Sequence, residues 1–216
     1  MSEQLFMTLL LLTLAGFSVF LFYTIRRSRP STGVFISVVA AVTFWLIVTP
    51  ILLTKEFFTD NGYPAVSLAS AVAGPFIVGL VAYRWSSQLR SAIARLTTSD
   101  FLRIQYWRSP FGVFFFFTEE LPLWFQLVGG LGDIAAGLGA AAAHRYFQNN
   151  PNDERRSIIA GNVTGLVDFA VVLTLGLGFV VPGQTLDFGF NLIPMFAVPL
   201  FFLTHAASVA RLRREA

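Results

Sequence analysis

The chain alternates long apolar runs with short polar connections, and most runs approach the ~20 residues that a helix needs to cross a bilayer. Apolar residues are continuous within each run instead of alternating with polar ones, which favours helices over the strands of a β-barrel. The predicted fold class is therefore all-α, a polytopic membrane helix bundle. Its seven predicted spans are residues 4–25, 33–54, 64–84, 101–118, 121–147, 156–180 and 190–213.

The composition is that of a membrane protein. Of the 216 residues 55% are hydrophobic and 12% are charged, and the mean hydropathy is +0.68, whereas a soluble domain carries about 25% charged residues. The absence of cysteine excludes disulfides, thiolate catalysis and Cys-ligated metal centres. Basic residues are spread between the apolar runs and form no single patch, so the expected partner is the lipid bilayer and not nucleic acid.

The basic residues predict the orientation of the chain. All fifteen except Lys55 lie in or beside alternate connections, which share one side of the membrane. The positive-inside rule makes that side the cytoplasm, with the N-terminus outside and the C-terminus inside, in a bacterial inner membrane. Because no positive charge precedes the first run, we expect an uncleaved span and not a signal peptide. The fourteen residues are Arg26, Arg27, Arg29, Arg84, Arg90, Arg95, Arg103, Arg108, Arg145, Arg155, Arg156, Arg211, Arg213 and Arg214.

The fourth predicted span, residues 101–118, has the weakest pattern because it contains Arg108 and Pro110. It is retained because its removal would place Arg155 and Arg156 outside, against the positive-inside rule.

The segment just before this span predicts a short amphipathic helix on the cytoplasmic surface, near residues 86–98. Leu89, Ile93 and Leu96 follow helical spacing there, and Arg90 and Arg95 mark the polar side. The remaining connections are too short to hold a soluble domain. The chain is predicted to be one membrane domain, with a three-helix part (1–84), a connector (85–100) and a four-helix part (101–216).

Asp133 lies inside residues 127–143, a run with no other polar side chain. Within a bilayer a carboxylate is tolerated when it faces protein, water or a partner charge. Counting ~1.5 Å per residue from the predicted boundaries places Arg108 and Asp168 at the same depth as Asp133, near the membrane centre. A second polar group is expected nearer the cytoplasm, formed by Asn162, Gln105 and His205.

Glycines accompany these polar positions. On the fifth span Gln126 and Asp133 share one helical stripe, which is flanked by small residues, and on the sixth span small residues share the face of Asp168. Side chains this small let a neighbouring backbone or a ligand approach closely. The close-packing glycines predicted in this way are Gly129, Gly130, Gly137, Gly161 and Gly165.

Three hypotheses follow from the cluster, and the sequence leaves them open. The first is a small carrier or channel-like protein in which Arg108, Asp133 and Asp168 line a path for a proton, an ion or a small solute. The second is a membrane enzyme that acts on a lipid or isoprenoid substrate, with Asp133, Asp168 and His205 as acid–base groups or metal ligands. The third is a structural subunit in which Arg108 pairs with a carboxylate only to hold helices together.

We expect no cofactor and no metal. A haem held by His144 and His205 is disfavoured because the two residues lie at different predicted depths. No HExxH-type spacing supports a zinc site.

One part of the chain resembles a family of uncharacterised bacterial multi-pass membrane proteins. The resemblance rests on Leu121-Pro-Leu-Trp-Phe125, in which Leu-Pro-x-x-Phe leads into a small-residue run ending in Gly-Asp at Gly130-Leu-Gly-Asp133. It covers about residues 101–210 and implies a membrane bundle without an activity to transfer. The other residues that carry it are Gly137, Asn162, Gly165, Asp168, Pro194, Pro199 and His205.

Overall fold

The computed structural model describes residues 1–54, 64–119, 121–180 and 188–212, and the regular structure in these ranges is helical, without strands. Five helical segments are long and apolar enough to cross a membrane: Glu3–Arg27, Thr32–Leu53, Leu123–Asn149, Pro151–Phe179 and Phe190–Leu212. The helices are α1 (Glu3–Arg27), α2 (Thr32–Thr54), α3 (Pro64–Trp85), α4 (Ser87–Ala94), α5 (Thr98–Gln105), α6 (Arg108–Phe114), α7 (Leu123–Asn149), α8 (Glu154–Leu175), α9 (Phe188–Leu192) and α10 (Val198–Leu212). Short 3-10 turns occupy Phe115–Phe117 and Pro151–Asp153, and π-helical turns occupy Gly176–Val180 and Ile193–Ala197.

The segment predicted as the fourth span is not one continuous helix. A capping box between Thr97 and Asp100 starts α5, which ends at Gln105. The next helix, α6, begins at Arg108. The break has a physical cause, because Pro110 has no backbone N–H and in a continuous helix its ring would clash with the carbonyl of Tyr106, four residues earlier. In the first turn of a new helix the missing N–H is not needed. This break places Arg108 at the start of α6.

The amphipathic segment near residues 86–98 is also shorter as a helix than predicted. The side chain of Ser86 caps α4 by accepting a hydrogen bond from the Leu89 N–H, and α4 ends at Ala94. Ala92 and Leu96 are buried. α3 offers a shorter apolar length than the five candidate spans, from Ala69 to Trp85.

Helices α6 and α7 come into backbone contact at glycines. A Cβ atom on Gly112 would lie 2.7 Å from the carbonyl oxygen of Gly130 and 2.9 Å from the Cβ of Asp133. On the same side of α7, Gly137 packs against Ser109. Helices approach this closely only where small residues face each other. The contact brings the first turn of α6, and with it Arg108, beside the middle of α7.

Phenylalanine rings fill the core between α1, α6 and α10. The ring of Phe17 lies 5.7 Å from that of Phe111 and 4.9 Å from that of Phe201, measured between centroids. Phe6 meets Phe114 edge to face at 5.5 Å. Aromatic pairs in these geometries add about 0.5–1.5 kcal/mol to the burial of their area. They fix α1 against the helices that carry the polar groups.

Several of the arginine-bearing segments meet at one end of the bundle. Arg95 donates from Nη1 to the carbonyl of Arg29 at 2.7 Å, between the α4–α5 connection and the end of α1. Arg211 at the end of α10 pairs with Glu154 at 2.9 Å and donates to the carbonyl of Leu96 at 2.7 Å. The connections after α1 and α4, the start of α8 and the end of α10 therefore lie on the same side.

Candidate functional site

Arg108 joins three helices through its guanidinium group. The side chain has no solvent exposure. Nε donates to Oδ1 of Asp133 on α7 at 2.8 Å, and Nη1 donates to the carbonyl of Gly165 on α8 at 2.8 Å. Nη2 pairs with the same Asp133 oxygen at 2.7 Å and also donates to Oδ2 of Asp168. The guanidinium carbon lies 3.7 Å from the ring centroid of Phe169, in cation–π geometry.

These contacts offset the desolvation free energy that the burial of the Arg108 charge costs. A buried charge loses its hydration, and it is tolerated when opposite charges and hydrogen bonds replace the water. Both carboxylates and a backbone carbonyl do so here. Removing one partner of such a group typically costs about 3–5 kcal/mol because the other charge remains buried and unpaired. The cluster of Arg108, Asp133 and Asp168, called the charge cluster below, therefore fixes α6, α7 and α8 to one another.

Each carboxylate uses only one oxygen for Arg108. Asp133 accepts both of its bonds at Oδ1, and Asp168 accepts at Oδ2. Within the described part of the chain, no hydrogen bond reaches Oδ2 of Asp133 or Oδ1 of Asp168. Oδ1 of Asp168 packs against Gly132, in the space that a side chain there would fill. Two carboxylate oxygens thus keep their capacity to accept a hydrogen bond.

A cavity of about 290 Å³ reaches both carboxylates. Its walls come from α3, the first turns of α7, the second half of α8 and the chain from Phe190 to Phe202. Among the described residues that line it, every side chain apart from Asp133 and Asp168 is apolar. Arg108 is fully buried and is not among the lining residues. Six phenylalanines contribute rings to the walls: Phe76, Phe115, Phe125, Phe169, Phe190 and Phe202.

A second polar group lies beside the charge cluster and is centred on Asn162. Its Oδ1 accepts hydrogen bonds from Nδ1 of His205 at 2.7 Å and from the hydroxyl of Ser208 at 2.9 Å. Its amide donates to the Ile158 carbonyl at 2.8 Å, which assigns Oδ1 as the acceptor and therefore places a proton on Nδ1 of His205. This network ties α8 to α10.

Gly165 lies between the two polar groups. A Cβ atom added there would be 2.6 Å from Nε2 of His205 and 2.7 Å from Nη1 of Arg108. Nε2 of His205 has no hydrogen-bond partner among the described residues, and His205 is buried, with only 2% of its surface exposed. Only glycine allows the imidazole and the guanidinium to share this space.

The other predicted residues are distributed between this region and the helix ends. Gln105 donates to the hydroxyl of Thr204 at 2.7 Å, next to His205 in the chain. Gln126 lies apart from the charge cluster and donates to the carbonyls of Thr118 and Leu121, at 3.1 and 2.8 Å, where it holds the turn before α7. The predicted glycines form close contacts: Gly129 with Phe115, Gly130 with Phe116 and Gly112, Gly137 with Ser109, Gly161 with Leu102, and Gly165 with His205 and Arg108.

Three parts of the site were not predicted from the sequence. Phe169 follows Asp168 in the chain and lies under Arg108, but a phenylalanine in an apolar run carries no signal of such a contact. Gly132 makes room for Asp168, and its place in Gly130-Leu-Gly132 was the available signal. The residues of α3 that line the cavity are small or aromatic. In the sequence they indicate a membrane span and carry no sign of a cavity. Among the described residues, no three His, Asp or Glu side chains converge as metal ligands.

Comparison with known proteins adds a family but no activity. The model of a family described as a domain of unknown function, DUF8737, matches residues 64–213. This range contains the charge cluster, the Asn162 network and every lining residue of the cavity, and it leaves out α1 and α2. No curated protein and no solved structure matches the chain.

Proposed function

The chain belongs to the DUF8737 family, and from its geometry we propose that the protein binds an amphipathic molecule within the membrane, with its apolar part in the cavity and its polar head at Asp133 and Asp168. The observation that carries this proposal is the contact between an apolar cavity and two carboxylates that each keep one unbonded oxygen. Apolar walls suit an alkyl or isoprenoid chain, and the oxygens suit a head group that donates hydrogen bonds.

The size of the cavity argues against a purely structural role for the charge cluster. A salt bridge that only holds helices together needs no cavity beside it, and protein interiors contain few voids larger than a water molecule. The apolar walls of this space of about 290 Å³ would be covered by an apolar occupant, which is favourable by about 25 cal/mol for each Å² of apolar surface buried.

The walls also favour an amphipathic ligand over a free ion. An ion that entered from water would exchange its hydration shell for apolar side chains before it reached the carboxylates, which is strongly unfavourable. A molecule that is already dissolved in the bilayer meets no such barrier. We therefore propose that the protein carries a lipid-like molecule and not a hydrated ion.

Chemistry on the bound molecule is the second candidate. It is favoured by the unbonded oxygens of Asp133 and Asp168, because these two carboxyl groups line the cavity and a carboxylate can exchange a proton with a ligand. Carriage and catalysis predict the same ligand class. They differ in whether the ligand leaves unchanged, which analysis of the bound and released molecule decides.

We further propose seven spans in a bacterial inner membrane, with the N-terminus outside and the C-terminus in the cytoplasm. In this arrangement α3 and the α5–α6 segment cross in addition to the five long helices, and the arginine-rich end faces the cytoplasm. The meeting of Arg29, Arg95 and Arg211 at one end supports it. An impermeant maleimide should label Ser2→Cys on intact cells, and Arg155→Cys only after permeabilisation. Labelling of both on intact cells contradicts this orientation.

The binding proposal is tested by filling the cavity. Ala73 lines it on α3, whereas Val78 lies on the same helix, is 68% exposed and is not part of the lining. A photoreactive long-chain alcohol should label cavity residues in the wild type and in Val78→Trp, and should lose that labelling in Ala73→Trp. Labelling spread over the lipid-facing surface and unchanged by Ala73→Trp contradicts the proposal.

A further inference from the structure

The charge cluster contains two carboxyl groups and one guanidinium group. The salt bridges of the described residues give Asp133 and Asp168 no second cation. Both carboxyl groups are about nine-tenths buried and line an apolar cavity. An unbalanced charge in such surroundings is costly, so a counter-charge supplied from the cavity would be strongly favoured.

The position of Arg108 decides which charge the cavity accepts. Its side chain is fully buried and does not line the cavity, whereas both carboxylates do. Its nitrogens already bind Asp133, Asp168 and the Gly165 carbonyl. An anionic head group such as a phosphate or a carboxylate would therefore meet the two aspartates and not the arginine. Repulsion at short range in a low-dielectric site excludes anions.

The rest of the lining also suits a cation. Aromatic faces attract cations, most strongly where water is absent. Phe115 and Phe190 lie edge to face at 5.0 Å between centroids, and both rings line the cavity together with the two carboxylates. Carboxylates combined with aromatic walls form the kind of site that binds protonated amines and quaternary ammonium groups.

We propose that the amphipathic ligand carries a cationic head group, an amine or a quaternary ammonium, which Asp133 and Asp168 bind with the oxygens that Arg108 leaves unused. This inference rests on the proposed function, because it assigns the head group of the molecule whose chain fills the cavity. It identifies the ligand class as a cationic amphiphile that enters from the bilayer.

The test uses the full chain in lipid nanodiscs and three photoreactive probes. The probes share one diazirine-bearing alkyl chain and carry a trimethylammonium, a hydroxyl or a carboxylate head. The trimethylammonium probe should label cavity residues at a concentration about tenfold lower than the hydroxyl probe, as a desolvated cation–π and charge contribution predicts. The carboxylate probe should label them least.

Two results would overturn parts of the account, and they differ. Equal labelling by the trimethylammonium and hydroxyl probes would contradict the cationic head group and leave the binding function standing, since it would show that a proton balances the second carboxylate. Absence of cavity labelling by all three probes would overturn the binding function itself. This comparison uses the wild type, so no variant needs to fold for it to decide.

A variant then identifies the recognising group. Asp168→Asn keeps an oxygen that accepts from Arg108 and removes one negative charge. In Asp168→Asn that remains monodisperse, the trimethylammonium probe should lose its advantage over the hydroxyl probe. A retained advantage would show that Asp168 does not bind the head group. Thr164→Val on the exposed face of the same helix is the matched control.

Discussion

Arg108 binds a single oxygen of Asp133 with two nitrogens, Nε at 2.8 Å and Nη2 at 2.7 Å. The second oxygen of this carboxylate is therefore left unbonded by the arginine, although the pair is buried in the bundle. The same holds for Asp168, which meets Arg108 through Oδ2 alone. One arginine thus positions two carboxylates and leaves each of them able to accept another partner.

Removing the arginine should destabilise the protein strongly. Arg108→Met leaves two buried carboxylates without a cation, and we expect a loss of about 3–5 kcal/mol in the free energy of unfolding. Thermal or denaturant unfolding in detergent measures it. Arg155→Ala, at an exposed position, is the control and should change stability by less than about 0.5 kcal/mol. Adding Asp133→Asn and Asp168→Asn to Arg108→Met should recover part of the loss, and a failure to recover any would show that charge imbalance is not its cause.

A side chain at Gly112 should separate α6 from α7. Its Cβ would lie 2.7 Å from the backbone oxygen of Gly130, and a carbonyl in a helix cannot yield as a flexible side chain does. We expect Gly112→Ala to cost about 1–3 kcal/mol. Gly74→Ala on α3 meets nothing within 4 Å and should stabilise by about 0.5–1 kcal/mol. Equal stabilities for the two variants would contradict the close contact of α6 and α7.

Loss of Asn162 should loosen α10. Asn162→Ala removes the acceptor that His205 and Ser208 share. It leaves Nδ1 of His205 unsatisfied, whereas the Ser208 hydroxyl keeps its bond to the His205 carbonyl at 3.0 Å. The expected cost is about 1–3 kcal/mol, since each lost partner is a buried polar group. The readout is the midpoint of denaturant unfolding, compared with that of Thr164→Val two residues further along α8. A midpoint that moves no more than in this control would mean that the network contributes nothing measurable.

The inside of the cavity should be accessible to lipid and not to water. The chain has no cysteine, so single cysteines can carry nitroxide labels without background. A label at Val172, which lines the cavity, should be relaxed by oxygen and protected from a water-soluble nickel chelate, as should one at lipid-facing Val171. A label at Arg155 should show the reverse. Nickel access at Val172 equal to that at Arg155 would indicate an aqueous path and favour ion passage.

The depth of several site residues can be predicted from the sequence because the rise per residue of an α-helix is uniform. Counting along the chain places Arg108, Asp133 and Asp168 at one depth, and the structure brings the three together. The pairing of Asn162 with His205 follows in the same way. The charge pattern and apolar runs also predict a helical membrane protein. The described residues form helices without strands, five of them long and apolar enough to cross a membrane, while seven spans and the orientation stay predictions.

Other features depend on contacts that no local pattern encodes. Gln126 shares a helical stripe with Asp133, but it lies in the first turn of α7, where its amide donates to the carbonyls of Thr118 and Leu121 in the preceding turn. The break before Arg108 follows from Pro110, yet the sequence alone does not say whether a proline kinks a span or divides it. The α3 wall could not be predicted because its residues carry no polar group that marks their neighbours.

Native mass spectrometry of the protein released from its own membranes shows whether the cavity holds a ligand. We expect the wild type and Val78→Trp to retain an amphipathic molecule through purification, and Ala73→Trp, which adds an indole to the cavity wall, to lose it. We further expect this molecule to carry an amine or quaternary ammonium group. The same bound molecules in Ala73→Trp as in the wild type would contradict the assignment of the cavity as a ligand-binding site.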